Sequence, residues 1–270
     1  MYQFGSFGLS VVPSDQPYAV IVCAGIGDME KETPAFEMRD SCQEAFGHSV
    51  HQLFVRDTSR TWYQREQGWS ELVEAIATYL LEHAVEHVAI VGLSMGGYGA
   101  LELSRALPPS VTPLFTTFNV VALSTRTQLI PIPEFETRNT ELIQQVYQLR
   151  QPALWQSLHP RARYTLVFAL DELEDTLHAW YVAQRQDIQL LASPGSHNIA
   201  HRLRVEGKLT RFLQQLFSTL LHDKLVDEIG FFPPKPAHFA LAMARHNGAA
   251  EVQQKRIAAT LANNEQPAGF

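Results

Sequence analysis

An α/β architecture, with a mostly parallel central sheet covered by helices on both faces, is predicted by three observations. Short runs rich in β-branched residues alternate with amphipathic stretches along most of the chain. One of these runs, His87 to Val91, leads straight into Gly92-Leu93-Ser94-Met95-Gly96, the pattern of a sharp strand-to-helix turn that carries a serine. Two later runs end in an acidic stretch and in Gly195-Ser196-His197. Serine, acid and histidine thus follow one another in the chain order used by enzymes with such a turn.

Each element has its own signal. Tyr2 to Val12 predicts an outer strand or hairpin, and Tyr18-Ala19-Val20-Ile21-Val22-Cys23 a buried strand ending at Ala24-Gly25-Ile26-Gly27. A loop at that end of a strand is where such sheets bind ligands. A helix is expected from about Pro34 to Phe46, a strand from Val50 to Val55, and then a polar loop that ends in Thr61-Trp62-Tyr63-Gln64. Leu72, Ile76, Tyr79 and Leu80 recur at helical spacing. Past the serine turn, Ala100, Leu101, Leu103 and Leu107 form one apolar helical face. Leu114 to Leu123, Tyr164 to Leu170 and Ile188 to Ala192 read as further strands. A closing helix is expected from about Val205 to Leu221, with Leu209, Phe212, Leu213, Leu216, Phe217 and Leu220 on one side.

Two stretches stand outside this alternation. Ser124 to Arg163 is rich in Pro, Gln and Thr, has a short helical signal from Thr140 to Leu149, and is too long for an ordinary connection; it reads as a lid inserted into a domain of residues 1–222. Residues 223–270 form an appendage, which breaks at Gly230 to Pro236 and continues in Ala-rich, weakly helical segments. Its Phe231, Phe232, Phe239, Leu241 and Met243 predict an exposed apolar cluster suited to pairing with a second copy of the chain. The last eight residues are expected to be disordered.

Composition removes several classes of function. The 270 residues are 46% hydrophobic and 18% charged, as in a globular protein, and no apolar run approaches the roughly 20 residues of a membrane span. The amino terminus lacks the basic start and apolar stretch of a secretory signal, which leads to the expectation of a cytoplasmic protein. A net charge of −7, with basic residues scattered apart from Arg56, Arg60 and Arg65, lacks the footprint of a nucleic-acid binder. The two cysteines, Cys23 and Cys42, form no Cys-x-x-Cys pair; they are expected to be reduced and buried, and no metal site is expected.

The chemistry points to a serine nucleophile. A serine hydroxyl needs a base to remove its proton, and the base needs an acid to fix its tautomer. Ser94 is the candidate nucleophile. Asp171, the first residue after its strand, is placed ahead of Asp175 and Glu172 as the acid, because Asp175 suits the cap or first turn of the next helix. His197, in a turn after the last strand, is placed ahead of His201. The oxyanion donors are expected to be the amides of Met95 and Ile26, with Gly25 the alternative to Ile26. Trp62, Tyr63, Arg56 and Arg60, in a loop after a central strand, are candidates to stack on a substrate or to bind its carboxylate or phosphate, or else to anchor the loop.

On Gly-Leu-Ser-Met-Gly-Gly-Tyr-Gly-Ala-Leu, the Leu-Asp-Glu-Leu-Glu-Asp stretch after a strand and Gly-Ser-His after the next, the chain resembles the α/β-hydrolase superfamily from about Tyr18 to Leu221. The last two segments look like the Gly-Asp-Glu and Gly-x-His segments of small bacterial esterases. Leu170 stands where such enzymes often have glycine, and Cys23-Ala24-Gly25 where a His-Gly pair is common. The resemblance implies a serine hydrolase of a small carboxylic ester or thioester, working through an acyl-enzyme without a cofactor. Two alternatives stay open: an acyltransferase using the same triad, and a non-catalytic binding module on the same fold.

Overall fold

The computed structural model describes residues 1–144, 158–218 and 228–248. Its strands are β1 (Tyr2–Phe4), β2 (Phe7–Val12), β3 (Tyr18–Cys23), β4 (His51–Asp57), β5 (His87–Leu93), β6 (Thr117–Leu123), β7 (Arg163–Ala169) and β8 (Ile188–Ser193). Its helices are α1 (Arg39–Phe46), α2 (Trp69–Glu82), α3 (Met95–Ala106), α4 (Thr140–Gln144), α5 (Leu173–Val182), α6 (Ile199–Val205), α7 (Leu209–Gln214) and α8 (Pro236–His246).

The eight strands form one sheet in the order β1-β2-β4-β3-β5-β6-β7-β8. The β1–β2 and β2–β4 pairs are antiparallel, and every pair from β4 to β8 is parallel. Strands buried on both faces read as unbroken apolar runs, and β5 is such a run, with Val88, Ala89, Ile90 and Val91 all inaccessible. On one face Ile21 and Ile90 pack with Leu72, Ile76 and Leu80 of α2 and Leu101 and Leu103 of α3. On the other, Val22 and Val91 pack with Cys42 and Phe46 of α1, Leu203 of α6 and Phe212 and Leu213 of α7. Cys23 and Cys42 are both buried and unpaired, and burial pushes the Cys42 thiol up to about 12.

The ladder continues one residue beyond several strands. Ala24 donates to the Val55 carbonyl, Ser94 to Leu123, Ser124 to Val167 and Leu170 to Ser193, at 2.7–2.8 Å. These bonds bring the loops after β3, β5, β6, β7 and β8 to a single edge of the sheet.

Three elements differ from the sequence reading. The helix expected from Pro34 begins at Arg39, because Met38 lies in the left-handed region (φ 55°). The closing helix expected from Val205 begins only at Leu209, as α7, because α6 ends at Val205: Gly207 turns left-handed at φ 68° and the Gly207 and Lys208 amides bond back to Arg204 and Leu203, the geometry of a helix stop. Of the apolar cluster expected on the outside of the appendage, two members are buried and three are partly exposed: Phe231 joins the core beside Phe212 and Phe239 packs on Phe168, while Phe232, Leu241 and Met243 stay partly accessible. Of the helical signal in the insert, Thr140–Gln144 is helix. Residues 145–149, Leu220, Leu221 and the last eight residues lie outside the described chain.

Candidate active site

Ser94 occupies the junction of β5 and α3 with φ 57° and ψ −119°, a combination that costs an L-residue energy and persists only where packing imposes it. The packing is visible in the glycines. A Cβ built on Gly92 would lie 2.1 Å from the Gly96 carbonyl oxygen, and one on Gly96 would lie 2.1 Å from the Cys23 carbonyl oxygen. The turn after β3 is therefore pressed directly against the serine turn. Met95 is the first residue of α3, a position whose amide has no intrahelical acceptor, and Ile26 lies in the adjoining turn. The two expected oxyanion donors thus come from neighbouring pieces of backbone.

His197, half-buried after β8, sets its Nδ1 at 2.9 and 3.0 Å from the two carboxylate oxygens of Asp175. Asp171 does not reach it. Exposed at the end of β7, Asp171 instead accepts the Gly195 amide at 2.8 Å, while Glu172 accepts the amide of His197 at 3.3 Å. The reason is helical geometry: α5 starts at Leu173, and its first turn carries Asp175 back under the sheet edge, where it is 2% exposed. His201 lies in the first turn of α6, its amide held by the Asn198 cap at 3.0 Å. The structure thus replaces Asp171 with Asp175 as the partner of His197.

Asp175 is also reached by a residue that sequence reasoning did not single out. Arg138, in the insert, donates to Asp175 at 2.6 Å, and its Nη1 lies 2.8 Å from His197 Nδ1. Burial pushes the Asp175 carboxyl up, but the His197 hydrogen bond and the charges of His197 and Arg138 outweigh it and hold it below its ordinary range. Arg138 pairs with Glu136 at 2.9 Å, and Glu136 with Arg126 at 3.2 Å and His178 at 3.0 Å. Glu136 is held far below the usual carboxylate range: its burial acts upward, and His178 and the two arginines override that. A charged network from the insert therefore ends on the His197–Asp175 pair.

The loop after β4 is a scaffold for the turn after β3. Asp57 accepts the amides of Ser59, Thr61 and Tyr63 and the Thr61 hydroxyl at 2.7–3.1 Å, which bends Arg60, Trp62 and Tyr63 into positive φ. Arg60 donates to the carbonyls of Ile26, Asp28, Lys31 and Glu32. The Tyr63 hydroxyl donates to Ala24 at 2.8 Å. Trp62 lies beneath the Arg126 guanidinium, 4.5 Å from ring centre to charge. These three side chains are at most 8% exposed, so the expectation that they face a substrate gives way to a positioning role. Arg56 rests on the Phe36 ring and donates to Pro34, which is loop anchoring as well. From the other side, Glu37 accepts the Gly25 amide; burial raises its carboxyl, while that bond and Arg204 act in the opposite sense.

No family model matches the sequence, and no curated protein does. Solved structures do match. The capsule O-acetyltransferase of Neisseria meningitidis serogroup A is 12% identical, superposes with a TM-score of 0.57, and is matched over 78% of this chain and 93% of that one. The chain has the α/β-hydrolase fold. Two further matches have lower TM-scores: Est1E from Butyrivibrio proteoclasticus, at 0.49 with 12% identity over 79% of this chain and 95% of that one, and an α/β serine hydrolase without a lid from Xanthomonas campestris, at 0.42 with 13% identity over 79% and 91%. Among the described residues, no group of three or more His, Cys, Asp or Glu side chains could hold a metal ion. No helix among them is long and apolar enough to cross a membrane.

Proposed function

We propose that this protein is a serine-dependent enzyme that cleaves a small carboxylic ester or thioester through an acyl-enzyme. Ser94 is the nucleophile, His197 its base, Asp175 the acid that orients the imidazole, and the Met95 and Ile26 amides the oxyanion donors. The observation that carries this reading is the strained backbone of Ser94, held at the same sheet edge as the His197–Asp175 pair. Strain of that kind is retained where a hydroxyl must be presented rather than packed. The proposed cycle draws on no metal or organic cofactor.

Acyl transfer to an alcohol is the second reading. The insert contributes Arg138 directly to the His197–Asp175 pair, and a cover that reaches the catalytic groups is what keeps water from an acyl-enzyme. The Neisseria meningitidis fold neighbour is an O-acetyltransferase, which shows that the architecture accommodates such chemistry. A fluorophosphonate probe and a p-nitrophenyl ester series, applied to the native chain beside Ser94→Ala and His197→Ala, test the proposal. Covalent labelling and turnover that vanish with Ser94 are expected. Folded protein that neither labels nor turns over would favour a binding module instead.

A further inference from the structure

A cleft of about 710 Å³ opens between α1 and α6. Its lining includes the immediate neighbours of the proposed chemistry: Leu93 precedes Ser94, Asn198 follows His197, and Glu37 accepts the Gly25 amide beside Ile26. Farther out its walls carry Asp40 on one side and His201 and Arg204 on the other. A second recess of about 720 Å³, between the β1–β2 hairpin and α2, is more apolar and contains none of the candidate residues.

The walls of the first cleft select for chemistry. An acyl tail needs apolar walls to recover its transfer free energy of about 25 cal/mol per Å², and here it would strip water from charged groups with nothing in return. A hydroxyl donates to a carboxylate and accepts from a guanidinium, so a ring of hydroxyls satisfies both kinds of wall at once. The volume is within the range of small-ligand sites, about 300–1,000 Å³. A carboxylate has room for about four hydrogen bonds, so Glu37 retains acceptor capacity toward the cleft beyond the bond it takes from Gly25.

We propose that this cleft binds a polyhydroxylated, saccharide-like alcohol that exchanges the acyl group with Ser94, with Glu37 accepting a hydrogen bond from one of its hydroxyls. The proposal rests on Ser94 as the acyl-bearing nucleophile. In the transfer direction the alcohol oxygen bonds to the acyl carbon of the Ser94 ester. The Ser94 Oγ–acyl bond then breaks, and the alcohol proton passes to His197 and from there to Ser94 Oγ. No electrons are gained or lost.

The test supplies p-nitrophenyl acetate as donor and either methyl α-D-glucopyranoside or cyclohexanol, at equal concentration, as acceptor. Mass spectrometry then divides the acetyl groups between free acetate and acetylated alcohol. The glucoside is expected to capture acetyl groups at least tenfold better than cyclohexanol. Arg204→Ala is expected to lower the ratio of captured to hydrolysed acetyl groups about tenfold. No capture by the glucoside, equal capture by cyclohexanol, or undiminished capture in Arg204→Ala each overturns the assignment. If the native chain shows no Ser94-dependent release of p-nitrophenol, it is the proposed chemistry that fails. The cleft is then judged by saturation-transfer NMR with maltose: contact that is lost in Arg204→Ala supports it, and no contact with the native chain overturns it.

Discussion

Asp175→Asn separates the two acids that compete for His197. In the native chain both carboxylate oxygens of Asp175 lie within 3.0 Å of Nδ1, which places the ring proton on Nδ1 and leaves Nε2 free to take one from Ser94. An asparagine can turn its amide N–H toward Nδ1. The ring then carries its proton on Nε2 and no longer serves as a base. Arg138 strengthens this effect, because its Nη1 stands 2.8 Å from the same nitrogen and also favours a bare Nδ1. The same change in a well-characterised serine triad lowers kcat by about 10⁴, equivalent to about 5.4 kcal/mol at 1.36 kcal/mol per decade, and a fall of about 10³ to 10⁴ is expected here. Asp171→Asn removes charge from an exposed side chain whose hydrogen bond is to the Gly195 amide. Such a bond is worth about 1 kcal/mol, so a loss below about fivefold is expected. The assay is kcat and KM for p-nitrophenyl acetate on both variants, with circular dichroism to verify folding. A folded Asp175→Asn that keeps more than a tenth of native kcat, or an Asp171→Asn equally impaired, would refute the reasoning.

Three further outcomes follow from the packing. Gly96→Ala puts a methyl group 2.1 Å from a backbone oxygen, so a loss of about 3 kcal/mol or more in urea unfolding is expected; a loss below about 1 kcal/mol would mean that the two turns are not pressed together. Tyr63→Phe deletes the hydroxyl that holds Ala24 and is expected to cost about 1 to 2 kcal/mol and to lower kcat severalfold at constant KM, whereas a rise in KM alone would indicate substrate contact. Glu136→Gln breaks a buried ion network at a cost of about 3 kcal/mol. Because the folded carboxyl is held below its unfolded value of about 4.3, this contribution is fully present above about pH 5 and is lost as pH falls. The difference in Tm between native and Glu136→Gln should therefore hold level from pH 6 to about pH 5 and then shrink as pH falls toward 3, and a difference that stays constant down to pH 3 would contradict the ion-pair account.

The sheet and the serine turn were legible because their signals are local and redundant. Val88 to Val91 is apolar without interruption, and Gly92 and Gly96 mark the only way to fold the chain so tightly around Ser94. The acid was harder to read, because the last residue of a strand and the first turn of a helix are separated by a boundary of one or two positions. Asp175 did carry a signal: it falls three and four residues before His178 and Ala179, which share the buried side of α5, and an acid on a buried helical face needs a partner. Arg60, Trp62 and Tyr63 were legible as special but not by role, since an arginine that binds four carbonyls has the same sequence signature as one that awaits a ligand. Arg126, Glu136 and Arg138 sit in the insert, where no periodicity announces which charges turn inward. The closing helix was begun too early because Gly207 ends the helix before it, and the apolar stripe starts only at Leu209.

The segment around Phe232 has a bearing on how one margin of the sheet is closed. A parallel sheet ends in strands with unpaired amides and carbonyls, which template pairing with any extended segment they meet. At one end of this sheet the margin is β1, three residues long. At the other it is β8, and there Phe232 exchanges two backbone hydrogen bonds with Ala192, at 2.8 and 3.0 Å, before α8 folds against α5. The chain's own return thus takes up bonding capacity that a stranger would otherwise use. A protein cut after His222 would bare that margin together with the faces of Phe168 and Phe212, and self-templated aggregation is its expected failure.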